Sequence, residues 1–243
     1  IEQARALYRL VNDTRLLEAI DSLEGILTRF TQQDAQKHKD ALILSLGEVG
    51  SHLEGLVGGK AANLAELSRL KKAYPDAPFS ISDGYAVTTN AYDAFIAQNI
   101  TIDIAGEPVT MTLAEVIEKV LSGELPAANG SKHEAIRAYF NQVQVPEHVA
   151  RMLASELEPD KNYAVRSSAV GEDSAEFSHA GQLESYLYVK GSDAGAFLKE
   201  VWASLYTDRA IDYRARNGLP VIGLGVVIQE MIPSEVSGVA FSR

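Results

Sequence analysis

The sequence predicts an α+β protein, with helices and strands mixed in no regular strand–helix–strand order, unlike a doubly wound parallel sheet. Three observations carry this. Apolar residues recur at helical spacing through residues 2–37. Short apolar runs appear at 41–46, near Tyr85–Thr88 and at 162–169. The last third sets strands on both sides of one long helical stretch.

In order along the chain, Leu7, Leu10, Val11, Leu16, Leu17, Ile20, Leu23, Leu27 and Phe30 give the first helical segment its apolar positions, with Gly25 a mild interruption. The polar TQQDAQKHKD follows as a linker or exposed helix end. ALILSL (41–46) reads as a strand, followed by a glycine-rich loop and a helix over 61–72 rich in Ala, Leu and Glu. SDGYAVTTNAYDAFIAQN predicts a strand around Tyr85–Thr88 and a helix with Thr88, Thr89 or Asn90 as cap. Residues 101–160 read as a helical insert of two or three helices, including TLAEVIEKVLSG and SKHEAIRAYFNQV, punctuated by Pro146 and Pro159 and without visible chemistry. NYAVRSSA is a strand ending in small polar residues, followed by a loop over 169–182. The strand LESYLYV, a long helix from about Asp193 to Arg216, and the strands IGLGVVIQEMI and SGVAFSR complete the chain.

A length of 243 residues suits one large or two modest domains with an apolar core. The net charge of −11, with no basic cluster, argues against nucleic acid or an anionic membrane as partner. The absence of cysteine excludes disulfides, thiol catalysis and cysteine-ligated zinc, and fits a reducing, cytoplasmic setting. No apolar run approaches the roughly 20 residues needed to span a bilayer, and no signal-peptide pattern opens the chain. The first residue is Ile1 and the last residues read as an apolar strand, so the sequence is expected to be a piece of a longer protein.

Several residues bear on chemistry. Gly58 and Gly59 let a backbone approach an anion, Lys60 adds a full charge, and a helix beginning near Ala61 adds its positive end. The competing reading is a flexible turn with a solvated lysine. The G-x-x-x-x-G-K-[ST] spacing of a P-loop is absent. Arg166, at a strand end after an apolar run, calls for a phosphate or for a carboxylate such as Glu172 or Asp173. Ser167 and Ser168 either donate hydrogen bonds or end the strand. The loop 169–182, with glycine, acidic residues, Phe177 and His179, reads as a flap. His179 lacks an identifiable partner, and His38, His52, His133 and His148 sit in no stronger setting. VVIQEMIPSEVSGVAF offers a strand and a polar interruption that can present main-chain groups, Gln229 and Glu230 to a purine, or form an ordinary hairpin. Trp202, Leu205, Tyr206 and Ile211 read as a buried helical stripe.

Taken in order, GGKAANLAEL, GYAVTTNAY, YAVRSSAVGED, HAGQLESYL, VWASLYTDRAIDYR, VVIQEMI and SGVAFS resemble the N-terminal nucleotide-binding region of the phosphoenolpyruvate synthase and pyruvate phosphate dikinase family, over roughly residues 46–243. The resemblance implies an ATP-grasp fold with ATP between two α+β lobes, truncated here at its C-terminal end, and residues 1–45 as an added N-terminal helical segment and linker. It implies phosphate contacts for Lys60 and Arg166, a place beside the nucleotide for Gly181 and Ser185, and an adenine-side position for Gln229. The segment Glu230 to Ile232 would be the hinge. Two departures stand out. ISDGYAVTT replaces the usual P-x-G-F before the T-T block, and His179 replaces the aromatic of S-F-A-G-Q.

The implied function is the ATP-binding part of a dikinase-type phosphotransferase. ATP and magnesium would be its cofactors, with the metal's ligands mostly outside these residues. A phosphohistidine carrier domain and an acceptor-binding domain would be its partners, and pyruvate or a related molecule the final acceptor. A non-catalytic nucleotide-binding module of the same fold is the alternative, and an interaction scaffold whose glycine loops are only turns is a third.

Overall fold

A computed structural model describes residues 14–127, 130–170, 183–218 and 223–238. By its internal contacts the chain divides into two units, residues 1–40 and 41–243. In the first, helix α1 (Thr14–His38) runs through Gly25 without interruption and ends with Lys37 and His38 in its last turn, where positive charge suits the helix dipole. Leu23, Ile26, Leu27 and Phe30 along α1 are each more than half exposed.

The second unit is built on a five-stranded antiparallel sheet of order β1-β2-β7-β5-β6. Its strands are β1 (Ile43–Ser45), β2 (Gly84–Val87), β5 (Asn162–Ala169), β6 (Ser185–Lys190) and β7 (Leu224–Glu230). Strand alternation sorts the side chains onto two faces. One face presents Ile43, Val87, Ile228, Val226, Tyr163, Val165 and Val189 to the main core.

Five helices contribute to that core: α4 (Thr89–Ile96), α5 (Leu113–Ser122), α6 (Lys132–Gln142), α7 (Glu147–Glu156) and α8 (Ala194–Ala203). Its centre is aromatic. Phe95 meets Phe140 and Trp202 with ring centroids 5.0 Å apart, and Trp202 Nε1 donates to the Leu224 carbonyl at 3.1 Å, so the indole's one polar atom is satisfied on β7. The helices between 101 and 160 therefore share one apolar core with the sheet.

Two elements differ from the sequence reading. Residues 99–112 form a hairpin, β3 (Asn99–Ile104) and β4 (Glu107–Thr112), where only helices were expected. Ile100 and Ile102 are buried between exposed neighbours, and the Ala105-Gly106 turn has φ of 57° and 91°, the doubly positive pair that two-residue hairpins favour. The expected long helix 193–216 is broken into α8, a 3₁₀ turn (Ser204–Tyr206) and α9 (Asp208–Asn217). Thr207, with ψ of 147°, leaves the helical region, and its side chain accepts the Ala210 N–H to cap α9. Thr88 is the N-cap residue of α4, but its Oγ1 donates to the Ala41 carbonyl at 2.6 Å and Asn90 Nδ2 donates to the same oxygen at 3.2 Å. These two side chains hold the entry to β1.

The other sheet face carries a second, smaller layer. The short helix α2 (Glu54–Val57) and helix α3 (Gly59–Ala73) pack on β5 and β7 through buried Val57, Ala61, Ala62 and Ala65. They cover the end of the sheet near Ser168 and Gly225. The end near Gln229 and Ala164 borders a cleft.

Candidate functional site

Strand register builds this site. Leu44, Ala86, Val227, Arg166 and Ser185 are successive Cα partners across β1, β2, β7, β5 and β6, so their side chains form one row on the second face. The next row toward the open end holds Gly84, Gln229 and Ala164. The cleft of about 480 Å³ opens over these rows. Its walls are Ala164 and Arg166 from β5, Ser185 and Leu187 from β6, Gln229 and Glu230 from β7, the following Met231 and Ile232, and Ser82. The volume lies in the range of small-molecule sites.

Five sequence-predicted residues, Arg166, Ser185, Gln229, Glu230 and Ile232, thus line one cleft. Gly181 lies outside the described residues, as do Phe177, His179 and most of the loop 169–182. Glu172 and Asp173, the carboxylates weighed as partners of Arg166, are outside them too. Of SGVAFSR, residues 239–243 are likewise not described. Lys60 is half-buried and does not line the cleft. It sits in the first turn of α3, next to Ala61, whose N–H is bonded to Ser168 on β5. That contact brings the lysine's backbone to the strand that carries Arg166.

Gly58, two residues before Lys60, has a packing cause. Gly58 adopts φ 80° and ψ 165°, and a Cβ there would lie 1.9 Å from the Ser168 carbonyl oxygen. A side chain is excluded by both backbone conformation and space. Gly225 on β7 does the same from the other side, with a Cβ position 2.4 Å from the Val57 carbonyl oxygen.

Electrostatics at the cleft are set by β7's alternation. Gln229 faces the cleft and donates through Nε2 to the Ser82 carbonyl at 3.1 Å. Glu230 points to the opposite face, where its Oε1 lies 2.9 Å from Lys161 Nζ. Hydrogen bonds to Glu230 and Glu158 raise the Lys161 ammonium above its ordinary range. Glu230 therefore borders the cleft while its carboxylate is engaged elsewhere, and Arg166 supplies the lining's positive charge. The backbone at this end of β7 is also committed, because Glu230 N–H donates to the Asp83 carbonyl at 3.1 Å and Met231 N–H to the Asn162 carbonyl at 2.9 Å. Among the described residues no three His, Asp or Glu side chains converge closely enough to hold a metal ion.

Ser82, Ala164 and Leu187 were missed by sequence reasoning, whereas Met231 falls within the expected segment Glu230 to Ile232. The period of two was the available signal for two of them, since Ala164 is two residues from Arg166, and Leu187 two from Ser185. Ser82 is brought in by the β2–β7 pairing and had no local signature.

With the geometry in place, comparison with known proteins gives a consistent picture. The family described as "Pyruvate phosphate dikinase, AMP/ATP-binding domain" matches residues 54–243. Rifampicin phosphotransferase of Bacillus subtilis is 34% identical over 208 residues, covering 83% of this chain and 22% of that protein. Phosphoenolpyruvate synthase of Aeropyrum pernix is 34% identical over 212 residues, with 83% and 24% covered. The chain thus spans about a quarter or less of these relatives' length. No helix among the described residues is long and apolar enough to cross a membrane. The chain belongs to the pyruvate phosphate dikinase AMP/ATP-binding domain family.

Proposed function

We propose that the cleft bordered by Arg166, Ser185, Gln229 and Ile232 is the nucleotide site of an ATP-dependent phosphotransferase, and that the chain supplies one side of an ATP-grasp-type cleft. The observation that carries this reading is the convergence of five predicted residues around one cleft. Leu187, Met231 and Ile232 offer apolar surface to a purine, with Gln229 fixed beside it by Ser82. Because the Glu230 and Met231 amides serve neighbouring strands, recognition of the purine edge by a main-chain donor falls to the segment from Ile232 onward. Arg166 and Ser185, paired across β5 and β6, would take the phosphates, a fork of charged donors beside a hydroxyl. Lys60 would add a second cation from the start of α3, and Gly181 a close backbone approach.

Catalysis by such residues is a matter of position and charge neutralisation. Magnesium bound with ATP would offset further phosphate charge. The described residues do not form a cation site of their own, and no step of this reading depends on one. A phosphohistidine carrier domain and an acceptor-binding domain, in the cytoplasm, complete the proposed reaction. None of the described histidines lines the cleft, and in this reading the phosphoryl-accepting histidine belongs to the carrier domain. Pyruvate and an antibiotic acceptor are both compatible with the relatives' names.

Isothermal titration of the chain with ATP and with adenosine tests the site. Arg166→Ala is expected to weaken ATP by about 1–3 kcal/mol, as for a lost charge-assisted hydrogen bond, and to leave adenosine nearly unchanged. Equal ATP affinity in wild type and variant would remove Arg166 from the phosphate site. The alternative of a non-catalytic module predicts the same binding, and differs in that the longer protein would transfer no phosphoryl group.

A further inference from the structure

On the cleft face of β5, Arg166 lines the cleft and Ser168 lies two residues further along. Ser168 is buried completely. Its Oγ accepts the N–H of Ala61 at 3.0 Å, a bond joining residues 107 positions apart. That N–H belongs to the first turn of α3, where amides have no partner inside the helix. A side chain at the N-cap position ordinarily satisfies one of them, but the N-cap here is Gly58. Ser168 takes over the capping role from another element. Gly58 permits it, because its missing side chain lets the Ser168 backbone lie where a Cβ would otherwise stand.

We infer that Ser168 is a positioning residue for phosphate binding: by capping α3 from β5 it fixes the root of Lys60 beside the strand that holds Arg166. This rests on the phosphate role proposed above for Lys60 and Arg166. Lysine is a point charge on a flexible stem, so its contribution depends on where its backbone is anchored. Ala61 is itself buried, and without the Ser168 hydroxyl its amide becomes an orphaned donor that the first turn of α3 can relieve only by moving. The displaced residue would be Lys60. Sequence alone gives no sign of this link, since a serine at a strand end reads as a terminator.

The test is a binding cycle on the 243-residue chain, titrating ATP and adenosine into wild type, Ser168→Ala, Lys60→Ala and the double variant. Ser168→Ala is expected to weaken ATP on the order of tenfold. Adenosine, which has no phosphate for Lys60 to meet, should change less than about twofold. In the Lys60→Ala background the same serine change should cost ATP less than about twofold, because the residue it positions is gone. A purely structural serine would weaken ATP and adenosine alike, or would cost as much with Lys60 absent as present, and either result overturns the inference. Wild-type ATP affinity in Ser168→Ala overturns it too while leaving the proposed function standing. No ATP binding by the wild-type chain would instead overturn the proposed function, and this inference with it. Should Ser168→Ala fail to fold, Ser168→Cys is read in the same cycle, since the thiol is near in size and a weaker acceptor.

Discussion

Gln229 and Glu230 are adjacent on β7 and face opposite sides of the sheet, Gln229 bonded to the Ser82 carbonyl at 3.1 Å and Glu230 to Lys161 at 2.9 Å. A one-residue difference thus separates a cleft-facing amide from a half-buried ion pair. Gln229→Leu is expected to weaken ATP and adenosine alike, by up to about tenfold, because the proposed site puts Gln229 on the purine side. Glu230→Gln should change neither by more than about twofold, because the backbone at this end of β7 stays held by the Glu230 and Met231 amides. Titration of both variants with both ligands checks the contrast.

Gly58 and Gly25 make a matched pair for stability. Gly58→Ala puts a Cβ 1.9 Å from the Ser168 carbonyl oxygen at φ 80°. It is expected to destabilise the chain by more than about 2 kcal/mol. Gly25 lies within α1 with nothing within 4 Å of its Cβ position. Gly25→Ala should stabilise α1 by about 0.5–1 kcal/mol. Urea denaturation followed by circular dichroism measures both.

Tyr85 gives a pH signature. Its phenol is pushed up to about 12, chiefly by burial and then by donating to Glu156 Oε2 at 2.8 Å, a bond that needs the proton. The folded state holds that proton more tightly than the unfolded chain, so its stabilising contribution is complete below pH 10 and is lost as pH rises from 10 toward about 12. Burial also raises Tyr92, Tyr186 and Tyr206, so ultraviolet titration of tyrosinate should show several late ionisations, of which Tyr85→Phe removes one. An unchanged titration curve in that variant would contradict the assignment.

The five histidines should take no phosphoryl group from ATP in the isolated chain. His148 is exposed on α7. His38 lies buried 3.6 Å from Asp34, and His133 has its Nδ1 enclosed without a hydrogen-bond partner. None of these three, nor His52, borders the cleft. Incubation with γ- and β-labelled ATP followed by peptide mapping covers them together with His179. Stoichiometric label on any one would mean that the chain carries its own acceptor.

The strands that build the cleft were largely legible in the sequence. NYAVRSSA matches β5 residue for residue, because a run of mixed apolar and small residues ends where the polar loop begins. Arg166 could be picked out because a charge following an apolar run needs a partner, though it sits within β5 and not at its end, whereas Gln229 was singled out by the family resemblance. The hairpin 99–112 was lost because its alternation is short and sits among stronger helical patterns. The break at Ser204–Tyr206 was lost because Leu205 and Tyr206 continue the apolar stripe, and only Thr207 departs from helical geometry. Ser168 was legible as a residue and silent as a contact. Its partner amide is backbone, which carries no letter in a sequence.

The central claim is that adenine nucleotide binds on the sheet face that carries Arg166, Ser185 and Gln229, and amide NMR of the isotopically labelled chain during ATP titration tests it most directly. The predicted result is saturable shifts in Ser82, Ala164, Arg166, Ser185, Leu187 and Ile232, with adenosine reproducing those near Ile232 and leaving Arg166 and Ser185 in place. Saturable shifts on the opposite face, around Tyr92, Glu118 and Tyr206, with this cleft unmoved, would contradict it.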